Sequence, residues 1–574
     1  MFQKSNIPNI YVSTQTEYDA IVVGSGITGG WAAKELTEKG LNVLMLERGN
    51  YLAHKKDYVT EHKSPWDFPF RGRGDRKKFE EEYEVQSTCY AFYEGTEHMF
   101  VNDKNHPYIQ NPEKPFWWIR GYHLGGRSLM WGRQCYRWGE QDFEANAKDG
   151  YGVDWPIRYR DIAPWYDYVE RFVGISGEAL GLPQVPDGIF QKPMDMNVVE
   201  KHVKTGIEKN FPDRKMTIGR CANLTETIGD RSPCHYCGPC ERGCSTGSSF
   251  SSQSSTLPAA FKTGRLAIRA NSIVQSVLFD EQKGRASGVQ VIDARSKETR
   301  IYKSKIIFLC ASTIGSTAIL LNSKSRTFPN GLANGSETLG HYLMDHHFQL
   351  GASAKFPEFN DRYYAGKRPN GIYIPRFRNL NGEQRSDFVR GYGYQGGGGR
   401  SSWKRGNDLE EFGLALKTKL REPGDWGFSL MGFGETLPLH ENRIWLDPQK
   451  TDQWGIPMLH IEAAWSDNEV KMRRDILTAA AEMIEAAGGK EVSTFDNGSI
   501  PGHGIHEMGT ARMGKDPKTS VLNGWNQAHE VPNLFVTDGA AMASSACQNP
   551  SITYMALTAR ACHYVVEKMK RNEL

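Results

Sequence analysis

Tyr18-Asp-Ala-Ile-Val-Val-Gly24-Ser25-Gly26-Ile-Thr28-Gly29-Gly30 sets a glycine turn between an apolar run and a helical pattern. Ala20–Val23 reads as a buried strand. Trp31–Lys39 carries Ala32, Ala33 and Leu36 at helical spacing. In such a turn Gly24 makes the bend, Gly26 lets the backbone approach a pyrophosphate, and Gly29 lets the helix pack on the strand. The helix N-terminus then presents N–H groups and a partial positive charge to that phosphate. A second strand, Asn42–Leu46, ends at Glu47, 18 residues after Gly29, where a ribose hydroxyl needs an acceptor. Strand, helix, strand and acidic terminus in this order predict a dinucleotide site. A purely structural glycine turn is the competing reading. Ser25, Thr28 and Arg48 join the candidate cofactor contacts.

With 574 residues the chain is long enough for two or more domains. Apolar content of 39% and charged content of 24% are ordinary for a globular protein. A net charge of +3 gives no electrostatic case for nucleic acid or an anionic membrane. The longest apolar stretch, Ile306–Leu321, is interrupted by Ser312, Thr313, Gly315 and Ser316, which makes it too short and too polar to span a bilayer. Met-Phe-Gln-Lys-Ser-Asn-Ile-Pro at the start lacks an apolar signal core, so this segment is not expected to export the chain alone. The 14 Trp and 24 Tyr offer flat faces that sugar sites use, as do ordinary large cores.

No repeat, heptad run or long low-complexity segment is present. Lys55–Glu82 is charged and reads as an exposed excursion. Ile157–Val173 reads as a helix with Ile162, Trp165, Tyr166, Val169 and Phe172 on one side. Ser272–Asp280 and Ala286–Ile292 pair as strands around a Lys283-Gly284 turn. Ile306–Leu309 is a buried strand and Thr313–Asn322 the following helix. Tyr392–Arg400, with four consecutive glycines, is expected to be a mobile loop. Val470–Ala487 is an amphipathic helix, Asn533–Val536 a short strand, and Ser551–Met569 a last long helix. Nucleotide-type elements thus lie at both ends, with a different texture between them.

Four of the ten cysteines fall in one run, Cys234-His-Tyr-Cys237-Gly-Pro-Cys240-Glu-Arg-Gly-Cys244. The C-x2-C-x2-C-x3-C spacing is that of an iron–sulfur ligand loop. Zinc, a disulfide pair and free thiols compete with it, although no second cysteine pair completes a zinc site. Cys89, Cys135, Cys221, Cys310, Cys547 and Cys562 are scattered and read as buried apolar residues.

Beyond the N-terminal turn, three further motifs occur in order. The first is Gly125-Gly126-Arg-Ser128-Leu-Met130-Trp-Gly132. The second is Ala311-Ser-Thr-Ile-Gly-Ser-Thr317, followed by Leu320-Leu321 and Ser323. The third is His506-Glu-Met-Gly-Thr510, then Asn533-Leu-Phe-Val-Thr-Asp538-Gly539 and Gln548-Asn549-Pro550-Ser551. With them the chain resembles the glucose–methanol–choline (GMC) oxidoreductase family of flavoproteins over nearly its whole length. It departs from the second family signature at Thr317, where a proline is usual.

The resemblance implies a mixed α/β and α+β fold. A Rossmann-like FAD-binding domain, of the type shared with p-hydroxybenzoate hydroxylase, would carry an inserted substrate domain built on an antiparallel sheet. The expected segments are 15–135, 196–345 and 500–574 for the FAD domain, with the cysteine loop 234–244 inside it, and 136–195 and 346–499 for the substrate domain. It implies FAD contacts from Gly24, Ser25, Gly26, Thr28, Gly29, Glu47, Arg48, Gly125, Gly126, Ser128, Met130, Val274, Ala311, Asp538, Gly539, Asn549, Pro550 and Ser551. Alcohol oxidation removes a hydroxyl proton and a hydride from one carbon, and a neutral imidazole can take the proton. The resemblance puts His506 in that base position and Asn549 beside it, with His503 as the rival base. Some sugar-oxidising relatives attach the flavin through a histidine in the loop before Trp131. Met130 stands at that position, and a thioether cannot make the bond, so the FAD is expected to be non-covalent.

Bacterial sugar dehydrogenases of the family carry a cysteine cluster in this region. The resemblance therefore implies a cluster, 3Fe-4S or 4Fe-4S, on Cys234, Cys237, Cys240 and Cys244. The expected activity is oxidation of a sugar or glycoside hydroxyl, with C3 of a glucoside as the specific reading. Electrons would leave through the cluster to a c-type cytochrome. The chain resembles the large subunits of glucoside 3-dehydrogenases, with gluconate 2-dehydrogenase and glucose 1-dehydrogenase as the alternatives. A small signal-bearing subunit would carry the chain to the periplasm as a passenger, with a cytoplasmic enzyme as the alternative. A non-catalytic flavin electron-transfer subunit, and an oxygen-reducing alcohol oxidase with a zinc-stabilised loop, are the readings from other classes.

Overall fold

The computed structural model describes residues 16–574 except 365, 381, 403, 404, 407 and 408. The opening Met1–Pro8 segment lies outside the described residues. The strand Glu17–Val23 has four consecutive buried residues at its end, Ala20–Val23. It pairs in parallel with Val43–Leu46 on one side and Thr299–Leu309 on the other. Leu266–Arg269 extends this parallel array beyond Val43–Leu46, and Leu534–Val536 pairs with Thr299–Leu309. Arg285–Asp293 and Ser272–Asp280 add an antiparallel hairpin. The result is a seven-stranded sheet assembled from both ends of the chain. Parallel strands covered on both faces read as continuous apolar runs, and Ile306–Leu309 is fully buried for that reason.

Helix Ile27–Glu38 starts at Gly26 and packs against the last helix, Ser551–Lys570. Gly29 is explained by the turn before the helix, since a Cβ there would stand 2.0 Å from the carbonyl oxygen of Gly24. Helix Tyr159–Val173 buries Ile162, Tyr166 and Val169, with Trp165 and Phe172 partly covered at its edge.

A second sheet of six antiparallel strands runs Lys490–Asp496, Leu350–Lys355, Trp426–Gly434, Tyr392–Arg400, Ile372–Ile374 and Thr217–Ile218. Helices Asp467–Ala486 and Val198–Asn210 cover it. Met472, Ile476, Ala479, Ala480 and Met483 form the buried stripe expected of an amphipathic helix. Tyr392–Arg400 departs from expectation. It is a nine-residue strand paired along its length with Trp426–Gly434, not a loop. Its glycines are demanded by packing, since a Cβ on Gly396 would lie 2.0 Å from the Ser429 carbonyl oxygen.

Lys55–Glu82 is largely exposed, but Tyr58, Thr60, Glu61 and Phe68 are buried, and Arg76–Glu82 forms a short helix capped by Asp75. The six scattered cysteines are all buried. Among the described residues, no helix is long and apolar enough to cross a membrane.

Candidate active site

A cavity of about 730 Å³ runs between the two sheets, inside the usual size range for small-molecule and cofactor sites. Its N-terminal end is lined by Gly24, Ser25, Gly26, Thr28, Glu47 and Arg48. Gly126, Ser128, Met130, Val274, Ala311, Asp538, Gly539, Pro550 and Ser551 line it further along, and His506 and Asn549 stand where it meets the second sheet. Gly125 and Gly29 lie behind this lining: Gly125 turns the chain with a positive φ of 94° and Gly29 packs the helix. His503 is also outside the lining, while Gln349 is part of it.

The dinucleotide end has the features an FAD needs. A Cβ on Gly26 would meet nothing within 4 Å, so free space lies over the helix N-terminus where a pyrophosphate belongs. Both oxygens of Glu47 are held. Oε2 accepts from the Ser25 N–H at 3.1 Å and the Ser25 hydroxyl at 2.5 Å, and Oε1 accepts from the Gly49 N–H at 2.8 Å. Burial pushes this carboxyl up, and those hydrogen bonds oppose the rise. The Arg48 guanidinium lies over the rings of Tyr122 and Trp454 at 4.8 and 5.4 Å. Asp538 accepts from the Ser316 hydroxyl at 2.5 Å and the Ala540 N–H at 3.0 Å, and burial pushes it up to about 6.

The end of the cavity nearest the second sheet is built around His506. Asp345 fixes the turn that carries it. One carboxyl oxygen accepts the His506 N–H at 2.9 Å, and the other accepts from Gly502 and Gly504 at 2.9 and 2.8 Å. Burial, then the neighbouring Glu507, raises Asp345 to about 7. Arg127 answers Glu507 with a bidentate pair at 2.9 and 2.8 Å.

The protonation of the ring follows from its neighbours. His346 Nε2 faces the carbonyl oxygens of Ser545 and Ala546 at 3.2 and 2.9 Å. Carbonyls only accept, so Nε2 carries the hydrogen. Burial lowers His346 to about 4, so its ring is neutral and Nδ1 is an acceptor. His506 Nδ1 lies 2.9 Å away and must donate to it. Burial, with His346 and Arg127 nearby, holds His506 well below its usual range. Its Nε2 is therefore an unprotonated base. That atom is 3.2 Å from Asn549 Nδ2, and Asn549 Oδ1 in turn accepts from Gln395 Nε2 at 2.6 Å. Gln548 anchors the segment from behind by donating to Asp142 at 3.1 Å and to the Gln184 carbonyl at 2.8 Å.

His503 is oriented differently. Its Nε2 is 2.9 Å from the Thr88 carbonyl oxygen, and its ring packs between Trp117 and Phe348. Trp131, from the Gly125–Gly132 motif, lines the site too, and His346, Gln395, Ser429, Met431 and Phe433 join it without a local motif in the sequence to mark them. Only the paired His346-His347 offered a signal, and neighbouring histidines are common in cores.

The cysteine loop lies at one margin of this cavity. Glu241, next to Cys240, lines it together with Tyr90 and Arg133. Arg242 pins the loop by donating to the carbonyls of Thr60 and Lys63 and to the Tyr93 hydroxyl. All ten cysteines are free thiols, and Cys237 is exposed. Among the described residues, no three His, Cys, Asp or Glu side chains come together closely enough to hold a metal ion. The four thiols as placed do not form a ligand cage, so the expected iron–sulfur centre lacks that geometric support.

Residues 18–348 and 438–558 match the two parts of the family described as GMC oxidoreductase. The chain belongs to the GMC oxidoreductase family. It is 27% identical over 95% of both chains to 2-methyl-1,2-propanediol dehydrogenase of Mycolicibacterium austroafricanum. It is 24% identical to the fructose dehydrogenase large subunit of Gluconobacter japonicus, covering 96% of this chain and 98% of that one. It is also 24% identical to the gluconate 2-dehydrogenase flavoprotein of Pantoea cypripedii, covering 96% and 94%. Pyridoxine 4-oxidase from Mesorbium loti shares the fold, with a TM-score of 0.58 at 16% identity over 95% of this chain and 98% of that one. This GMC chain is an FAD oxidoreductase related to sugar and alcohol dehydrogenases.

Proposed function

We propose that this GMC protein oxidises a secondary hydroxyl of a sugar or glycoside, with His506 as the base and Asn549 holding the substrate oxygen. The observation that carries the reading is the unprotonated Nε2 of His506, facing the cavity 3.2 Å from Asn549 Nδ2. FAD bound here would supply the hydride acceptor for the carbinol carbon. His506 Nε2 takes the hydroxyl proton while an Asn549 N–H steadies the oxygen. The proton then stays on Nε2 until solvent removes it. Passing it to His346 would force the Nε2 hydrogen of that ring onto backbone carbonyls that only accept. Gly24, Ser25, Gly26 and Glu47 hold the adenosine and pyrophosphate end, and Asp538, Gly539, Pro550 and Ser551 the rest. Met130 leaves the flavin non-covalent. Relatives named for fructose and gluconate support a polyhydroxylated substrate, and C3 of a glucoside is the specific reading. Anaerobic bleaching of the bound flavin by a panel of sugars, with NMR of the product, tests it. A panel that leaves the flavin oxidised would refute it.

We propose also that Cys234, Cys237, Cys240 and Cys244 hold an iron–sulfur cluster, 3Fe-4S or 4Fe-4S. The support is their spacing and their place beside the cavity; loading would have to draw the thiols together. Iron and sulfide analysis with EPR tests this, and zinc or empty thiols would refute it. A c-type cytochrome as acceptor, a signal-bearing small subunit and a periplasmic location complete the proposal. Co-purification and cell fractionation test these. The proposed division is 15–135, 196–345 and 500–574 for FAD and 136–195 and 346–499 for substrate. Its support is the separate hydrophobic cluster beneath the antiparallel sheet, although Val199, Val203, Ile207 and Met216 of the 196–345 segment join that cluster.

A further inference from the structure

Gln395 stands on the glycine-rich strand Tyr392–Arg400, opposite Met431 on the neighbouring strand, and both line the cavity. Gly396, next along the strand, also lines the cavity and brings no side chain beside the amide. The polarity of this amide is set from the far end of the hydrogen-bond chain. The carbonyls of Ser545 and Ala546 fix His346, His346 fixes His506, and the Nε2 acceptor of His506 requires Asn549 to present Nδ2. Asn549 Oδ1 therefore faces Gln395, which donates to it at 2.6 Å. An amide has two N–H donors and a two-lone-pair oxygen. The second N–H and the Oε1 of Gln395 make no other hydrogen bond among the described residues. Met431, Phe433 and Phe348 form an apolar wall around this point, so free polar valences there have a specific use.

We infer that Gln395 recognises the hydroxyl on the carbon next to the one oxidised, which makes a vicinal diol the unit this site reads. The inference rests on the proposed role of His506 and Asn549. The reacting oxygen sits between those two residues. The next amide along the chain meets the next hydroxyl of the substrate, donating to it and accepting from it. A substrate lacking that hydroxyl leaves the Gln395 amide buried and half satisfied, and sites of this kind reject such analogues strongly. Gln395 also steadies Asn549, but that effect is the same for every substrate. Recognition changes the ratio between substrates.

The test compares flavin reduction by methyl glucoside with its singly deoxygenated analogues, and by propane-1,2-diol with propan-1-ol, under anaerobic conditions. Native enzyme should prefer the diol of a matched pair by about tenfold or more in kcat/KM. Gln395→Met should bring the ratio to within about threefold while slowing both substrates by a common factor. Gln395→Glu keeps an acceptor for the neighbouring hydroxyl but withdraws the donor from Asn549. It should lower kcat and retain most of the ratio, and it decides the matter if the Met variant does not retain FAD. Equal rates for diol and mono-alcohol in the native enzyme would overturn the inference and leave the base assignment standing. An unchanged ratio in Gln395→Met would do the same. Native enzyme whose flavin no hydroxyl compound reduces would overturn both.

Discussion

His346 and His506 face each other Nδ1 to Nδ1 at 2.9 Å, and only one of these nitrogens can carry the shared hydrogen. The backbone carbonyls behind His346 decide which. A fully buried ring thereby sets the tautomer of the proposed base.

Replacing His506 by Ala should leave a folded protein that still holds FAD. Reduction by substrate should fall by about 10²–10⁴-fold, the usual worth of a general base. His503→Ala should stay within a few-fold of native, because its Nε2 is occupied by the Thr88 carbonyl. Stopped-flow reduction of both variants checks the pair. Loss in His503→Ala alone would reverse the assignment.

His346→Ala should act through His506. With the ring gone, water enters beside His506, and the burial that holds its basicity down is relieved. In the native enzyme, kcat/KM should show no acidic limb near 6.5, the ordinary histidine value, because His506 is already deprotonated there. In the variant an acidic limb should move upward toward that value, with a lower plateau from the lost tautomer preference. A pH–rate profile of each checks this.

The turn glycines separate fold from cofactor. Gly26→Ala adds a methyl group into open space and should fold normally, yet that space is where the pyrophosphate must approach. Such a protein should purify without FAD. Gly29→Ala drives a Cβ to 2.0 Å from the Gly24 carbonyl and should destabilise the fold itself. Flavin content and thermal melting distinguish the two.

Arg127→Ala should be among the more damaging changes at the cavity. It leaves Glu507, whose side chain is 2% exposed, without its bidentate partner and close to Asp345. Breaking a buried pair from one side typically costs about 3–5 kcal/mol. Glu507→Gln should cost less than Arg127→Ala by denaturant melts, since it removes a charge beside Asp345.

How much of this was legible in the sequence follows from how local each feature is. Gly24, Gly26, Gly29 and Glu47 belong to one strand–helix–strand unit, so their spacing carries their geometry. His506 and Asn549 were legible through ordered motifs. His346 lies 160 residues from His506 and Gln395 154 from Asn549, and no local pattern encodes contacts of that range. Tyr392–Arg400 was misread because glycine runs are turn formers in isolation. Here close strand packing selects Gly396 instead, where a Cβ would meet the Ser429 carbonyl oxygen. The cysteine run has the spacing of a cluster loop, whereas among the described residues its thiols are not drawn together as a ligand set.

The central claim is that His506 removes the hydroxyl proton of a polyol bound against FAD. Anaerobic mixing of native protein and His506→Ala with the same sugar, followed by the visible absorbance of the flavin, tests it directly. Native flavin should bleach rapidly, while the variant, equally loaded with FAD, should bleach at least about 100-fold more slowly. Equal bleaching rates in the two proteins would contradict the account.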